Sequence, residues 1–129
     1  MSSIFTKIIS GEIPSFKVAE NDEFLAFLDI QPIVRGHVLV IPKKPIDYIF
    51  NIEDELLGDF MSFTKSVAKK MDMVFDCKRI GMTVIGLEVP HAHIHLIPIN
   101  GIADMDFGKE KLSFPSEEME SIAKMIREA

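Results

Sequence analysis

A chain of 129 residues, 47% apolar and 26% charged, has the size and make-up of one globular domain rather than of a disordered or fibrous chain, and residues 1–129 are expected to form it. The formal net charge of -6 argues against general affinity for a nucleic-acid backbone or an anionic membrane, although a local pocket can still hold a mononucleotide. The lone cysteine, Cys77, excludes an intrachain disulfide and a CxxC-type zinc site. No window approaches about 18 uninterrupted apolar residues, and Met1 to Lys7 lacks the basic-then-apolar pattern of a secretory signal. No membrane span is expected, and the cytoplasm is the expected location.

In chain order, Ser2 or Ser3 can cap a short helix over Ile4–Ser10, which Gly11 ends and Pro14 keeps from resuming. Phe16–Glu20 and Phe24–Asp29 read as strands joined at Asn21-Asp22. Pro32 and Arg35-Gly36 mark a loop, and His37–Ile41 is β-rich up to Pro42. Glu53 to Phe75 is the clearest helix: Leu56, Phe60, Phe63, Val67, Met71 and Val74 recur at helical spacing. Glu53, Asp54 and Glu55 suit its positive end, and Lys69-Lys70 its negative end. Arg79–Ile85 and His91–Ile97 read as two more strands, and Ser116 is placed to cap a last helix to Arg127. Helix, three strands, long helix, two strands and helix make an α+β domain with a mainly antiparallel sheet.

Three of the four histidines stand at alternate positions: His91, His93 and His95. In a strand successive side chains point to opposite faces, so the three imidazoles share one face while Ala92, Ile94 and Leu96 pack behind. Three uses fit such a row. It can be structural, at the cost of placing rings that repel when protonated side by side. It can be a metal site, using His91 with His93 or His93 with His95 and adding His37 or a carboxylate. All three on one ion is difficult, because the outer Cα atoms stand roughly 13 Å apart. Or it can be a nucleophilic centre at phosphorus. Neutral imidazole is a good nucleophile near neutral pH, its phosphorus adduct is reactive, and its neighbours can bind phosphoryl oxygens or supply a proton. The middle residue, His93, is then the nucleophile, since only it has a histidine on each side.

Residues 91–97 match every position of the His-φ-His-φ-His-φ-φ motif, with φ apolar, of the histidine-triad (HIT) family. Ile4 to Pro14, Leu25 to Pro32 and Gly36 to Lys43 also resemble that family's segments, in order, and the chain is most similar to its Hint-like hydrolase branch. The resemblance implies a five-stranded, mainly antiparallel sheet with one long helix and a helix near each terminus, continued across a homodimer. It implies hydrolysis or transfer of nucleotidyl groups at the α-phosphate, through a covalent nucleotidyl-histidine, with no cofactor and no required metal. By position His93 resembles the nucleophile. His91 and His95 resemble the histidines that contact the phosphate and leaving group and set its tautomer, and His37 a fourth pocket histidine. Asp29 resembles the acid that binds the ribose hydroxyls, and Ile4, Phe5, Ile8, Ile30 and Leu39 the walls around the base. The partner so implied is a nucleotide, a purine mononucleotide derivative by family preference. A sensor or scaffold with the same pocket but no catalysis is the alternative.

One region departs from the family pattern. Leu87 stands where relatives have Gln, Glu88 where they have Ser or Thr, and Ile99 where many have Arg. A leucine cannot hydrogen-bond a phosphate, and a glutamate repels one. Glu88, placed at the nucleotide, is therefore expected to favour neutral or cationic leaving groups such as the amine of a phosphoramidate. Gly101 to Ala129 carries no readable motif.

Overall fold

The computed structural model describes residues 3–129. Helix α1 spans Ile4–Ile9, and Ser3 closes its start: the Thr6 N–H donates to Ser3 Oγ at 3.2 Å and the Ser3 N–H to Thr6 Oγ1 at 3.4 Å. Ser2, the other candidate cap, lies outside the described residues. Strands β1 (Lys17–Glu20), β2 (Phe24–Leu28) and β3 (Val38–Pro42) follow, then α2 (Asp54–Val74), β4 (Arg79–Thr83), β5 (Ile94–Ile99) and α3 (Ser116–Arg127). The strands form one antiparallel sheet in the order β1-β2-β3-β5-β4. The crossover through α2 carries the chain past β3 and leaves β4 at the outer edge.

Both faces of the sheet are covered, which is why β2 and β3 are apolar at every position rather than at alternate ones. Phe24, Ala26, Leu28, Val38 and Val40 face α2 and α3, where they meet Phe60, Val67, Met71 and Ile122. Phe24 stacks on Phe60 at 5.4 Å between ring centres. Leu25, Phe27, Leu39 and Ile41 face the other way, against Phe5 and Ile8 of α1. The site develops on this second face.

Several boundaries differ from the sequence expectation for identifiable reasons. The fifth strand begins at Ile94, not His91. The His91 N–H turns back to the Val89 carbonyl at 2.8 Å and the Ala92 N–H reaches the Ile46 carbonyl at 2.7 Å, so neither joins a neighbouring strand. The fourth strand ends at Thr83, opposite His95, short of Ile85. Ser116 is the first helical residue of α3 rather than its cap, a position taken by Pro115. Lys70 does not serve the end of α2. Its ammonium donates to the Arg127 carbonyl at 3.2 Å, at the negative end of α3.

Candidate active site

The turn before β3 sets the first histidine. Gly36 takes φ +92°, a conformation that favours glycine, and a Cβ there would stand 2.5 Å from the Phe75 ring. The chain thereby enters β3 with His37 buried. On β5, His95 pairs with Leu39 across the ladder and shares its face. Ala92, Ile94 and Leu96 all pack into the core on the opposite face, although the alternation begins before the strand does. The rings of His93 and His95 lie 5.0 Å apart, and those of His37 and His95 5.1 Å apart.

Hydrogen bonds assign the tautomers. The Ile33 N–H donates to His37 Nδ1 at 3.3 Å, so the proton of His37 is on Nε2. That Nε2 lies 2.9 Å from His95 Nδ1, which must then accept, leaving the His95 proton on Nε2. His93 Nδ1 lies 2.7 Å from the His91 carbonyl oxygen, which can only accept, so the Nε2 of His93 keeps its lone pair. The ring of His91 is placed differently from its neighbours. Its Nε2 donates to the Pro42 carbonyl at 2.7 Å and its buried Nδ1 has no partner among the described residues, so its backbone carbonyl rather than its ring serves His93.

Burial keeps the supporting rings neutral. It lowers His37 to about 4, helped by the charges of Lys111 and His93. It lowers His95 to about 3, helped by His37 and His93 and opposed by Asp29. His91 is also lowered by burial, against the opposing effect of its bond to Pro42. Asp29 divides its carboxylate: Oδ1 accepts the Gln31 N–H at 2.9 Å, as a turn residue would, and Oδ2 lies 3.8 Å from His37 Nε2.

A cavity of about 370 Å³ opens beside the rings. Ile4, Phe5, Ile8, Ile30 and Leu39 line it, together with Asp29, Glu88, His93 and His95. Phe5 presents its ring edge-on to His93 at 5.0 Å, and Ile4 and Ile30 are exposed at the mouth. Sequence reasoning missed two residues of the site. Phe107 lies edge-on to His95 at 4.8 Å, and Lys111 lines a second cavity against the same histidines. They come from the segment before α3, which carries no motif, and nothing in the sequence signals their arrival.

Asp29, His37 and His95 are the one group among the described residues with ligand atoms close enough for a metal, within 4.8 Å of one another. The donors fit an ion poorly. A metal on His37 Nε2 moves the ring proton to Nδ1, where it opposes the buried Ile33 N–H. This group is also not the His91–His93 or His93–His95 pair that the sequence suggested for a metal.

A histidine row beside an apolar cavity on a five-stranded antiparallel sheet defines the histidine-triad class. A HIT domain matches residues 10–101. Adenosine 5'-monophosphoramidase HNT1 of Saccharomyces cerevisiae is 45% identical over 96 residues, which cover 74% of this chain and 61% of the yeast protein. The protein hit of Bacillus subtilis is 39% identical over 108 residues, covering 78% of this chain and 73% of that one. A Hit-like protein from Bartonella henselae has the same fold, with a TM-score of 0.85 at 33% identity over 98% of this chain and 95% of that one. The chain belongs to the HIT family.

Proposed function

We propose that the chain hydrolyses or transfers nucleotidyl groups at the α-phosphate of nucleoside phosphoramidates or dinucleoside polyphosphates, through a covalent nucleotidyl-His93 intermediate. The observation that carries this reading is the 2.7 Å contact between His93 Nδ1 and the His91 carbonyl. It commits the ring to one tautomer and leaves Nε2 as the free nucleophile. When the Nε2 lone pair bonds to phosphorus the ring becomes cationic, and the Nδ1–H bond to the carbonyl strengthens as that charge develops. The leaving group departs with the electron pair of its bond to phosphorus; an amine leaves from its protonated form. Water then attacks phosphorus, the P–Nε2 electrons return to His93, and one proton passes to solvent. His95, protonated on Nε2 and neutral, donates a hydrogen bond to a phosphoryl oxygen. Asp29 accepts from the ribose hydroxyls, and Ile4, Phe5, Ile8, Ile30 and Leu39 enclose the base. The adenosine phosphoramidase activity named for the yeast relative is in keeping with this assignment.

The same reading includes a cytoplasmic homodimer. Edge strand β4 carries exposed Met82 and is followed by exposed Val84, next to exposed Ile85, Met61, Tyr48 and Phe50 around an apolar cavity of about 590 Å³. An unpaired edge with apolar side chains is a surface for a second copy. Met82→Lys is expected to shift the mass in light scattering from dimer to monomer.

Intact-protein mass spectrometry after brief mixing with adenosine phosphoramidate, with AMP release followed in parallel, tests the chemistry. An adduct of AMP mass, or steady AMP release, is expected in wild type and absent in His93→Ala. Neither signal in wild type, with AMP still binding in a separate titration, would favour a nucleotide sensor and implicate Leu87 and Glu88.

A further inference from the structure

Between β5 and α3 the chain crosses the open side of the histidines. Phe107 stands edge-on to His95 at 4.8 Å and to His37 at 6.0 Å. Leu112 ties the segment down, its N–H donating to the Pro32 carbonyl at 2.8 Å. Lys111 immediately precedes this tie. Its ammonium donates to the Phe107 carbonyl at 3.1 Å and lies 5.8 Å from the centre of the Phe107 ring. Both contacts hold an exposed side chain against the site rather than out in water. Among the described residues no carboxylate pairs with it. Its charge is therefore available to a ligand.

Lys111 faces a cavity of about 220 Å³ whose walls include Gln31, Glu88, His93 and His95. His93 and His95 also line the apolar cavity assigned to the nucleoside, so the two cavities meet at the nucleophile. A nucleotide with its base in the apolar cavity and its phosphorus at His93 must send its leaving group through another opening. One opening is walled mainly by Ile49, Phe50, Leu57, Met61 and Val84, with Tyr48 and a carboxylate, Asp47, and it offers an anion no lysine or arginine. The other is polar and holds the free ammonium. Asp29 and Glu88 line it too, and Lys111 is the one lysine or arginine on its walls.

Resting on the nucleotide reading above, we propose that Lys111, held by Phe107, is the cation of a leaving-group subsite that takes phosphate groups attached beyond the scissile phosphorus. The cavity then accepts anionic leaving groups that Glu88 alone would turn away, and Lys111 determines specificity without taking part in the bond change.

Isothermal titration of AMP, ADP and inorganic pyrophosphate into His93→Ala and into His93→Ala with Lys111→Gln tests this without turnover. Lys111→Gln is expected to weaken ADP and pyrophosphate about tenfold, to leave AMP within about twofold, and to be rescued by Lys111→Arg. Lys111 is exposed, so an unchanged melting temperature is expected to confirm that the variant folds. Equal weakening of AMP and ADP would assign Lys111 to the scissile phosphate and overturn the subsite, as would unchanged ADP and pyrophosphate binding. If AMP binds neither protein the nucleotide reading itself fails, and the pyrophosphate titration still decides the subsite.

Discussion

His37 Nε2 lies 2.9 Å from His95 Nδ1, with both rings buried. Because the Ile33 N–H occupies His37 Nδ1, this contact has only one direction: His37 donates and His95 accepts. His37 never needs to touch substrate to matter. It fixes which nitrogen of His95 carries the proton that, in the proposed reaction, is offered to the phosphoryl oxygens.

Removing that donor should therefore act on the chemical step. His37→Phe keeps a ring of similar size but cannot donate, and it frees His95 to take the wrong tautomer. Its kcat on adenosine phosphoramidate is expected to fall about ten- to hundredfold with KM nearly unchanged, as for other groups that orient an acting side chain. His37→Gln, which can still donate, should recover part of the loss. A rise in KM with unchanged kcat, measured by steady-state turnover, would show that His37 only shapes the pocket.

The same two rings make stability depend on pH. Their ordinary value is 6.5, and in the folded chain His37 lies at about 4 and His95 at about 3. Above the ordinary value both are neutral whether folded or unfolded, so they contribute no pH dependence. As pH falls below it the unfolded chain binds protons that the native state refuses, and stability falls. The contribution of His37 stops growing near its folded value and that of His95 near its own, lower one. Urea midpoints are expected to drop between about pH 7 and pH 5, with a shallower drop in His37→Phe. Parallel curves for the two proteins would mean that His37 titrates normally.

Much of this site was legible because period-2 alternation is a property of the backbone. Ala92, Ile94 and Leu96 pack into the core as a strand requires, which places His93 and His95 on the facing side. The ring of His91 was not legible. Its hydrogen bond goes to Pro42, 49 positions away in the chain, and the family position alone suggests a phosphate contact instead. Asp29 combines the turn role and the pocket role, which its place before a proline-containing loop left open. Phe107 and Lys111 were invisible for a plainer reason. They follow β5 in an irregular stretch without periodicity, and tertiary contacts such as the bond from Leu112 to Pro32 hold them over the histidines.

Asp29 offers a separate test of nucleoside recognition. With Oδ1 held by Gln31, Oδ2 is the acceptor left for a ribose hydroxyl. Asp29→Asn replaces a charged acceptor by a weaker one, and KM for an adenosine substrate should rise about tenfold. The 2′,3′-dideoxy substrate should already be poor in wild type and unaffected by the change. An equal loss on both substrates would transfer the role of Asp29 to His37, 3.8 Å away.

Gly36 connects the fold to the chemistry most directly. Its φ of +92° is strained for any side chain, and an added Cβ would sit 2.5 Å from Phe75, whose ring packs beside the end of α2. Gly36→Ala therefore combines backbone strain of about 1–2 kcal/mol with a displaced aromatic ring. Because His37 is the next residue and its N–H closes the turn onto the Val34 carbonyl at 3.1 Å, relief of the strain should also move His37. The expectation is a lowered melting temperature together with a fall in kcat. Gly11, also at positive φ but with nothing within 4 Å of an added Cβ, is the control: Gly11→Ala should lower the melting temperature and leave kcat unchanged. If Gly36→Ala lost stability but kept full kcat, the turn would support the fold without aligning His37, and His37 would hold its place through Ile33 and His95 alone.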